Sequence, residues 1–210
     1  MSAFSLHVSG VATTLARLRT TERRIVWALN RGVARQAMAL KKEIQTGLRN
    51  QSPGGSPIQP LAPMTLALRR LPTAGSKGAA SGRLRRGSSK ALIDSGEMIR
   101  SVNVDKLHEM AYFVGINRTA RTADGGDLAD LAELHEFGGP PFVIIVTPKV
   151  RAFFFALFKM GLLSGPLSRH KKRISHPGVP ARPFLTPAFD KWKKDAGKEF
   201  AQDLGKMLGF

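Results

Sequence analysis

The stretch TTLARLRTTERRIVWALNRGVARQAMALKKEIQTGL, Thr13 to Leu48, decides what kind of fold this chain can adopt. Leu15, Leu18, Ile25, Leu29, Val33, Ala37, Leu40, Ile44 and Leu48 recur at steps of three, four or seven, the spacing of one helix face. Thr13 or Thr14 offers a cap oxygen at the start, and Gly47 with the turn-rich 50–55 stretch ends the pattern. At about 1.5 Å per residue the predicted helix is a rod of about 50 Å. A small core covers only part of such a rod. Either the remainder packs on a neighbouring subunit, or the helix bends or breaks near Thr20–Glu22.

Upstream, Phe4, Leu6 and Val8 alternate with Ser5, His7 and Ser9, which predicts a short strand. Downstream, residues 50–64 are a Pro/Gly-rich loop and Thr65 to Arg70 one or two helical turns. Residues 72–90, PTAGSKGAASGRLRRGSSK, are basic and of low complexity, too poor in apolar groups to order themselves, and predict a flexible loop. Asp94 or Ser95 can cap a short helix over 97–102, with Met98 and Ile99 its apolar positions. Residues 102–105 and 110–116 read as strands of a hairpin turning around 106–109. Asp127 caps a helix whose apolar face is Leu128, Leu131 and Leu134, stopped by Gly138-Gly139-Pro140-Pro141.

Phe142 to Val146 is a β-branched run that predicts a buried strand. Pro148 opens either a helix carrying Val150, Phe153, Phe154, Leu157 and Phe158 or a second strand, because period alone does not decide short apolar runs. Residues 164–180 form a second basic loop. Thr186-Pro187 starts a last helix with the stripe Phe189, Trp192, Ala196, Phe200, Leu204 and Leu208. The expected fold is α+β, one domain over residues 1–210: a small antiparallel sheet with a long N-terminal helix, a C-terminal helix and long basic loops.

The charge is the strongest compositional fact. Of 210 residues, 33 are Lys or Arg and 15 are Asp or Glu, a formal charge of +18. Such an excess suits nucleic acid, an anionic membrane face or acidic proteins. Arg83, Arg85, Arg86 and Lys90 form one candidate contact cluster for DNA or an acidic partner, and Arg169, Lys171, Lys172 and Arg173 another. Solvated loops are the plain alternative. With one Tyr, two Trp and Phe in core-like runs, no basic–aromatic interleaving appears. Stacking groups for single-stranded nucleic acid are therefore missing, while loose electrostatic association stays open. The absence of cysteine excludes disulfides, thiolate metal sites and cysteine nucleophiles. The longest fully apolar run, Ala152 to Phe158, is too short to span a bilayer, and MSAFSLHVSG does not read as a secretory signal. These features predict a chain made and used in a cytosol, or in a particle assembled there, with no membrane partner.

Catalytic patterns are not found. Gly82–Gly87 has the spacing of a phosphate loop, but Ser88 stands where Lys is needed, and no apolar strand precedes it. The dinucleotide fingerprint and the serine-hydrolase elbow are absent. His135-Glu136 opens like a zinc helix, but residue 139 is Gly rather than His. The reading is no enzyme, with no catalytic residue, cofactor or metal.

Three strings stand out instead: Leu92-Ile-Asp-Ser-Gly-Glu-Met-Ile99, Leu134-His-Glu-Phe-Gly-Gly139 and Val179-Pro-Ala-Arg-Pro-Phe-Leu-Thr-Pro-Ala188. In the second, Gly138 is free to take positive φ after Phe137. In the third, Pro180 and Pro183 hold an extended segment that orients the Arg182 fork, and Phe184 docks into the core. Read structurally, all three are turn and docking devices. Read functionally, His135, Glu136, Phe137, Arg182 and Phe184 belong to a subunit or partner interface, with Arg182 and His135–Glu136 on one surface and pairing within or between subunits.

Taken together and in order, these strings resemble the tail-completion, or virion-morphogenesis, proteins of long-tailed bacteriophages, including those of Mu-like phages. The family's P-L-x-x-x-T run is matched at Pro60–Thr65, its L-x-D-[ST]-G-x-[LM]-x-x-S run at Leu92–Ser101, H-E-F-G at His135–Gly138, and [IV]-P-A-R-P-F-L at Val179–Leu185. The matches cover about residues 1–205 in family order. The chain departs from the pattern in the long basic 72–90 loop and at Phe153-Phe154-Phe155.

The resemblance implies a non-enzymatic virion protein of the neck or head-proximal tail end. It would complete the tail or join it to the filled head, within a ring of six subunits that meets connector, terminator and tail-tube proteins. A tail terminator is the nearest rival role. Basic loops would face packaged DNA or acidic neighbours.

Overall fold

The computed structural model describes residues 11–70, 88–93, 96–122 and 125–209, and its architecture is α+β. The predicted strand at Phe4–Val8, the 72–87 part of the first basic loop and the candidate caps Asp94 and Ser95 lie outside the described residues.

Helix α1 runs from Val11 to Asn50, 40 residues without interruption and about 60 Å long. No break occurs near Thr20–Glu22. Thr20 and Thr21 return their hydroxyls to the carbonyls of Ala16 and Arg17, one turn back, inside continuous helix. A 3-10 turn follows at Pro53–Gly55, then α2 (Pro63–Arg70), α3 (Glu97–Ser101), β1 (Val102–His108) and β2 (Ala111–Ile116). After these come α4 (Leu128–Phe137), β3 (Phe142–Ile145), α5 (Pro148–Lys159), β4 (Arg173–His176) and α6 (Leu185–Leu208).

The core is built where α1 and α6 cross the β1–β2 hairpin. α1 and α6 run antiparallel: Lys191 Nζ bonds Glu43 at 2.8 Å, Trp192 Nε1 donates to Gln36 Oε1 at 3.2 Å, and Arg35 pairs with Asp203 at 3.4 Å. Leu40, Ile44 and Leu48 of α1 enclose Met98, Ile99, Val102, Ile116, Leu128, Ala132, Phe184 and Ala188. The hairpin pairs Val102 with Ile116 and Lys106 with Tyr112. Its turn is tighter and later than the 106–109 expected. Met110 takes φ 57°, and its N–H donates to Asn30 Oδ1 at 2.9 Å, which ties the hairpin tip to α1. The α6 stripe is half-buried from Trp192 to Leu208 as expected, while Phe189 is exposed.

Four expectations are corrected by packing. The buried face of α4 is Leu128, Ala132 and Glu136, with Leu131 packed half-buried against the core as expected, whereas Leu134 faces solvent. The helix turns this way because backbone donors of the 184–186 segment draw the Glu136 carboxylate inward. The Phe142–Val146 run is not a buried strand: among the described residues β3 pairs only with β4, no described element covers the ribbon's faces, and Phe142, Val143 and Ile145 are exposed. The 164–180 stretch is not wholly loop, since β4 lies within it and Arg151 donates to the Ser168 and Lys171 carbonyls at 2.6 and 3.2 Å. The strands of the described residues form two two-stranded ribbons rather than one small sheet.

Residues 140–178 form an arm. β3, α5 and β4 share no substantial interface with α1, β1, β2 or α6. Where the arm leaves the body, Gly139 and Val179 exchange backbone hydrogen bonds of 2.8 and 3.1 Å. Gly138 and Gly178 flank this neck at φ 79° and 96°, a region open to glycine at little cost. Thr147 caps α5 from its side chain, with Pro148 at the first turn, so the helix reading of 148–159 holds and the strand alternative falls.

Candidate functional site

Of the residues singled out from the sequence, His135, Glu136, Arg182 and Phe184 meet at one largely buried junction rather than on a surface. Asp127 caps α4 by accepting from the Ala129 and Asp130 N–H groups at 2.8 and 3.3 Å. One helix length later α4 presents Glu136, only 6% exposed, to the start of α6. Glu136 Oε2 accepts from the N–H groups of Phe184 and Leu185 at 2.8 and 3.0 Å, and Oε1 from that of Thr186 at 2.8 Å. The first-turn donors of a helix have no partner within the helix, and their partial positive charge favours an anion. Glu136 is thus the N-terminal cap of α6, supplied from another element. This corrects the expected start at Thr186-Pro187: α6 begins at Leu185, and Phe184 in the capping position has no side-chain oxygen to offer.

Burial raises the pKa of Glu136, but the Thr186 hydroxyl and the three backbone donors outweigh it and hold the carboxyl below its ordinary range. Phe184, 0% exposed, fills the core beside this cap, as expected.

Arg182 is 7% exposed and does not pair with Glu136. Its Nε donates to the Gln59 carbonyl at 2.9 Å and its Nη2 to the Pro60 carbonyl at 3.1 Å. Its own N–H donates to the His135 carbonyl at 2.6 Å. A Pro-rich extended segment makes no internal hydrogen bonds, so the carbonyls at 59 and 60 need an outside donor. The Arg182 fork supplies it. The expectation that Arg182 and His135–Glu136 line an interaction surface is therefore corrected. They clamp the 59–60 segment, the end of α4 and the start of α6 together inside one protomer.

His135 is partly buried, and its Nδ1 has no hydrogen-bond partner among the described residues. Burial lowers its pKa, and the nearby Arg182 and Arg69 lower it further, all favouring the neutral ring. Arg69 is itself engaged, donating from Nη1 to the Ser88 and Lys90 carbonyls at 3.1 and 2.8 Å.

Phe137, the last residue of α4, points the other way and is 75% exposed. With Phe113 and Glu133 it lines a cavity of about 610 Å³ between α4 and the hairpin. Of the basic residues, Arg83, Arg85 and Arg86 lie outside the described residues. Lys90 donates to the Arg49 carbonyl at the end of α1. Arg169, Lys171, Lys172 and Arg173 are exposed together on the arm. Sequence reasoning missed Gln59 and Arg151 as structural partners, and Glu133 and Leu134 as exposed neighbours of Phe137. No local signal marked Glu136, because Thr186-Pro187 already read as a helix start.

Among the described residues, no group of three or more His, Cys, Asp or Glu could hold a metal ion, and no helix is long and apolar enough to cross a membrane. In comparison with known proteins, no family model, curated protein or solved structure matches the chain.

Proposed function

We propose that this chain is a non-enzymatic structural protein of a bacteriophage virion, acting at the neck or head-proximal end of the tail. There it completes the tail or joins it to the head as one subunit of a ring, six copies in number. It assembles in the host cytoplasm against connector, terminator and tail-tube proteins. The observation that carries the reading is the convergence of three motifs. Pro60 of the P-L-x-x-x-T run, the H-E-F-G run and the V-P-A-R-P-F-L run bond to one another at the Glu136–Arg182 junction.

That convergence gives the motifs a physical reason to occur together: each supplies one partner of a single clamp. It also supports a role without catalysis, because both Glu136 oxygens are occupied by backbone donors. The load of exposed Phe137, Phe142, Ile145, Phe153 and Phe155 favours a chain that works in an assembly. A tail-terminator role uses the same features.

The test is electron microscopy of particles formed after deleting the gene from its phage. Filled heads beside unjoined tails are the expected result. Normal joined virions would overturn the proposal and turn attention to a non-specific basic nucleic-acid-binding protein, the reading favoured by the +18 charge.

A further inference from the structure

We infer that the 140–178 arm of one copy seats on the exposed α4 face of a second copy of this chain. The inference deepens the ring reading and rests on it for closure.

Two neighbouring segments divide the charge. Residues 124–136 contain five Asp or Glu and no Lys or Arg, of which Asp130 and Glu133 are exposed on α4 while Glu136 is buried as the α6 cap, whereas residues 140–178 contain seven Lys or Arg and no Asp or Glu. Within one protomer the two are not joined: among the described residues no ion pair links the arm to α4. Asp127 is engaged by Arg121 at 2.8 Å, and Asp130 meets Arg118 only at 3.8 Å in solvent. Glu133 has no ion-pair partner there. Beside it, Leu134 and Phe137 are exposed, and the 610 Å³ cavity opens next to Phe137.

The arm offers the complement. Phe142 and Ile145 are exposed on β3, with Lys171, Lys172 and Arg173 exposed on the facing strand and its approach. An apolar centre rimmed by charge on each side, with opposite signs, is the layout of a protein–protein contact. One patch meets a different patch, so the contact is heterologous, and it generates a ring when the rotation closes. A nucleic-acid partner accounts for the basic rim of the arm but not for the acidic, apolar α4 face.

The experiment is a charge swap on the full chain. Variant one carries Asp130→Lys and Glu133→Lys. Variant two carries Lys171→Glu, Lys172→Glu and Arg173→Glu. All five side chains are exposed, and circular dichroism checks that both variants fold. Sedimentation of the wild type should give a salt-sensitive oligomer. Each variant alone should associate at least about 100-fold more weakly, because like charges now face each other. An equimolar mixture should regain the oligomer, since every contact again joins opposite signs.

A monomeric wild type, or a variant that assembles like the wild type, would overturn the inference. So would arm reversal that leaves the oligomer intact but abolishes binding of a duplex oligonucleotide, which would assign the arm to DNA. Any of these leaves the deletion phenotype free to be heads without tails, so failure here is distinguishable from failure of the neck reading.

Discussion

At the scale of single residues, Glu136 carries the most consequence. It holds three N–H groups that the start of α6 cannot satisfy by itself. Hydrogen bonds to a charged group contribute about 1.5–3 kcal/mol each and do not add fully, so Glu136→Ala should cost about 3 kcal/mol or more. Phe184→Ala should cost about 3–5 kcal/mol by leaving a cavity in the core. Arg182→Lys should lose about 1.5–3 kcal/mol, because one ammonium cannot reproduce the fork on the Gln59 and Pro60 carbonyls. Urea denaturation of the three variants measures these values. Full stability in Arg182→Lys would return Arg182 to a surface role.

The same junction sets a pH dependence in two steps. In the native state the His135 pKa is lowered by burial and by Arg182 and Arg69. Below about pH 6.5 the unfolded chain binds a proton there that the native chain refuses, so stability falls as pH drops through that point until the native pKa is reached. Glu136 acts lower: its native pKa is depressed, so its contribution is complete above the ordinary carboxylate range and is lost as pH falls through the native value. Urea midpoints between pH 7 and 3 should show both limbs. His135→Leu should flatten the upper limb and Glu136→Gln the lower.

At the scale of elements, the arm and the body are separable. The neck is closed by the paired Gly139 and Val179, so the two ends of the arm already lie side by side. Replacing residues 141–177 with a short Asn-Gly turn should leave the core of α1, α6 and the hairpin folded. The thermal midpoint should stay within about 3 °C of wild type, a change of about 1 kcal/mol or less. Calorimetry checks this, and a collapse of the transition would show that the arm stabilises the body. Element positions were largely legible in the sequence, since the α1 period, the Asp127 cap, Pro148 at a helix start and the two hairpin strands are local signals. Burial was less so. Phe142–Val146 has the composition of a buried strand, yet it stands in a ribbon that no described element covers. Glu136 has the composition of a solvated helix residue, yet it is buried by partners 48 to 50 positions away.

At the scale of the whole molecule, +18 charges act as a field as well as through contacts. If the basic surface meets acidic protein, duplex DNA should be held loosely and released by moderate salt. A chain that neutralises six phosphates would instead give a log–log salt slope of about −5. Titration of a labelled duplex from 50 to 300 mM salt distinguishes the two outcomes, and a steep slope with tight binding at the upper end would favour DNA as the primary partner.

The amino-acid sequence alone determined the class of fold and most helix positions, together with the charge excess. These follow from periodicity, caps and composition, which act within a few residues. Tertiary structure alone decided that His135, Glu136 and Arg182 clamp the interior while Phe137 and the arm face outward. That choice depends on which distant backbone donors and carbonyls lack partners once the helices have packed. A local pattern holds no record of a hydrogen bond that closes across 48 residues at α6 or 123 residues at Gln59.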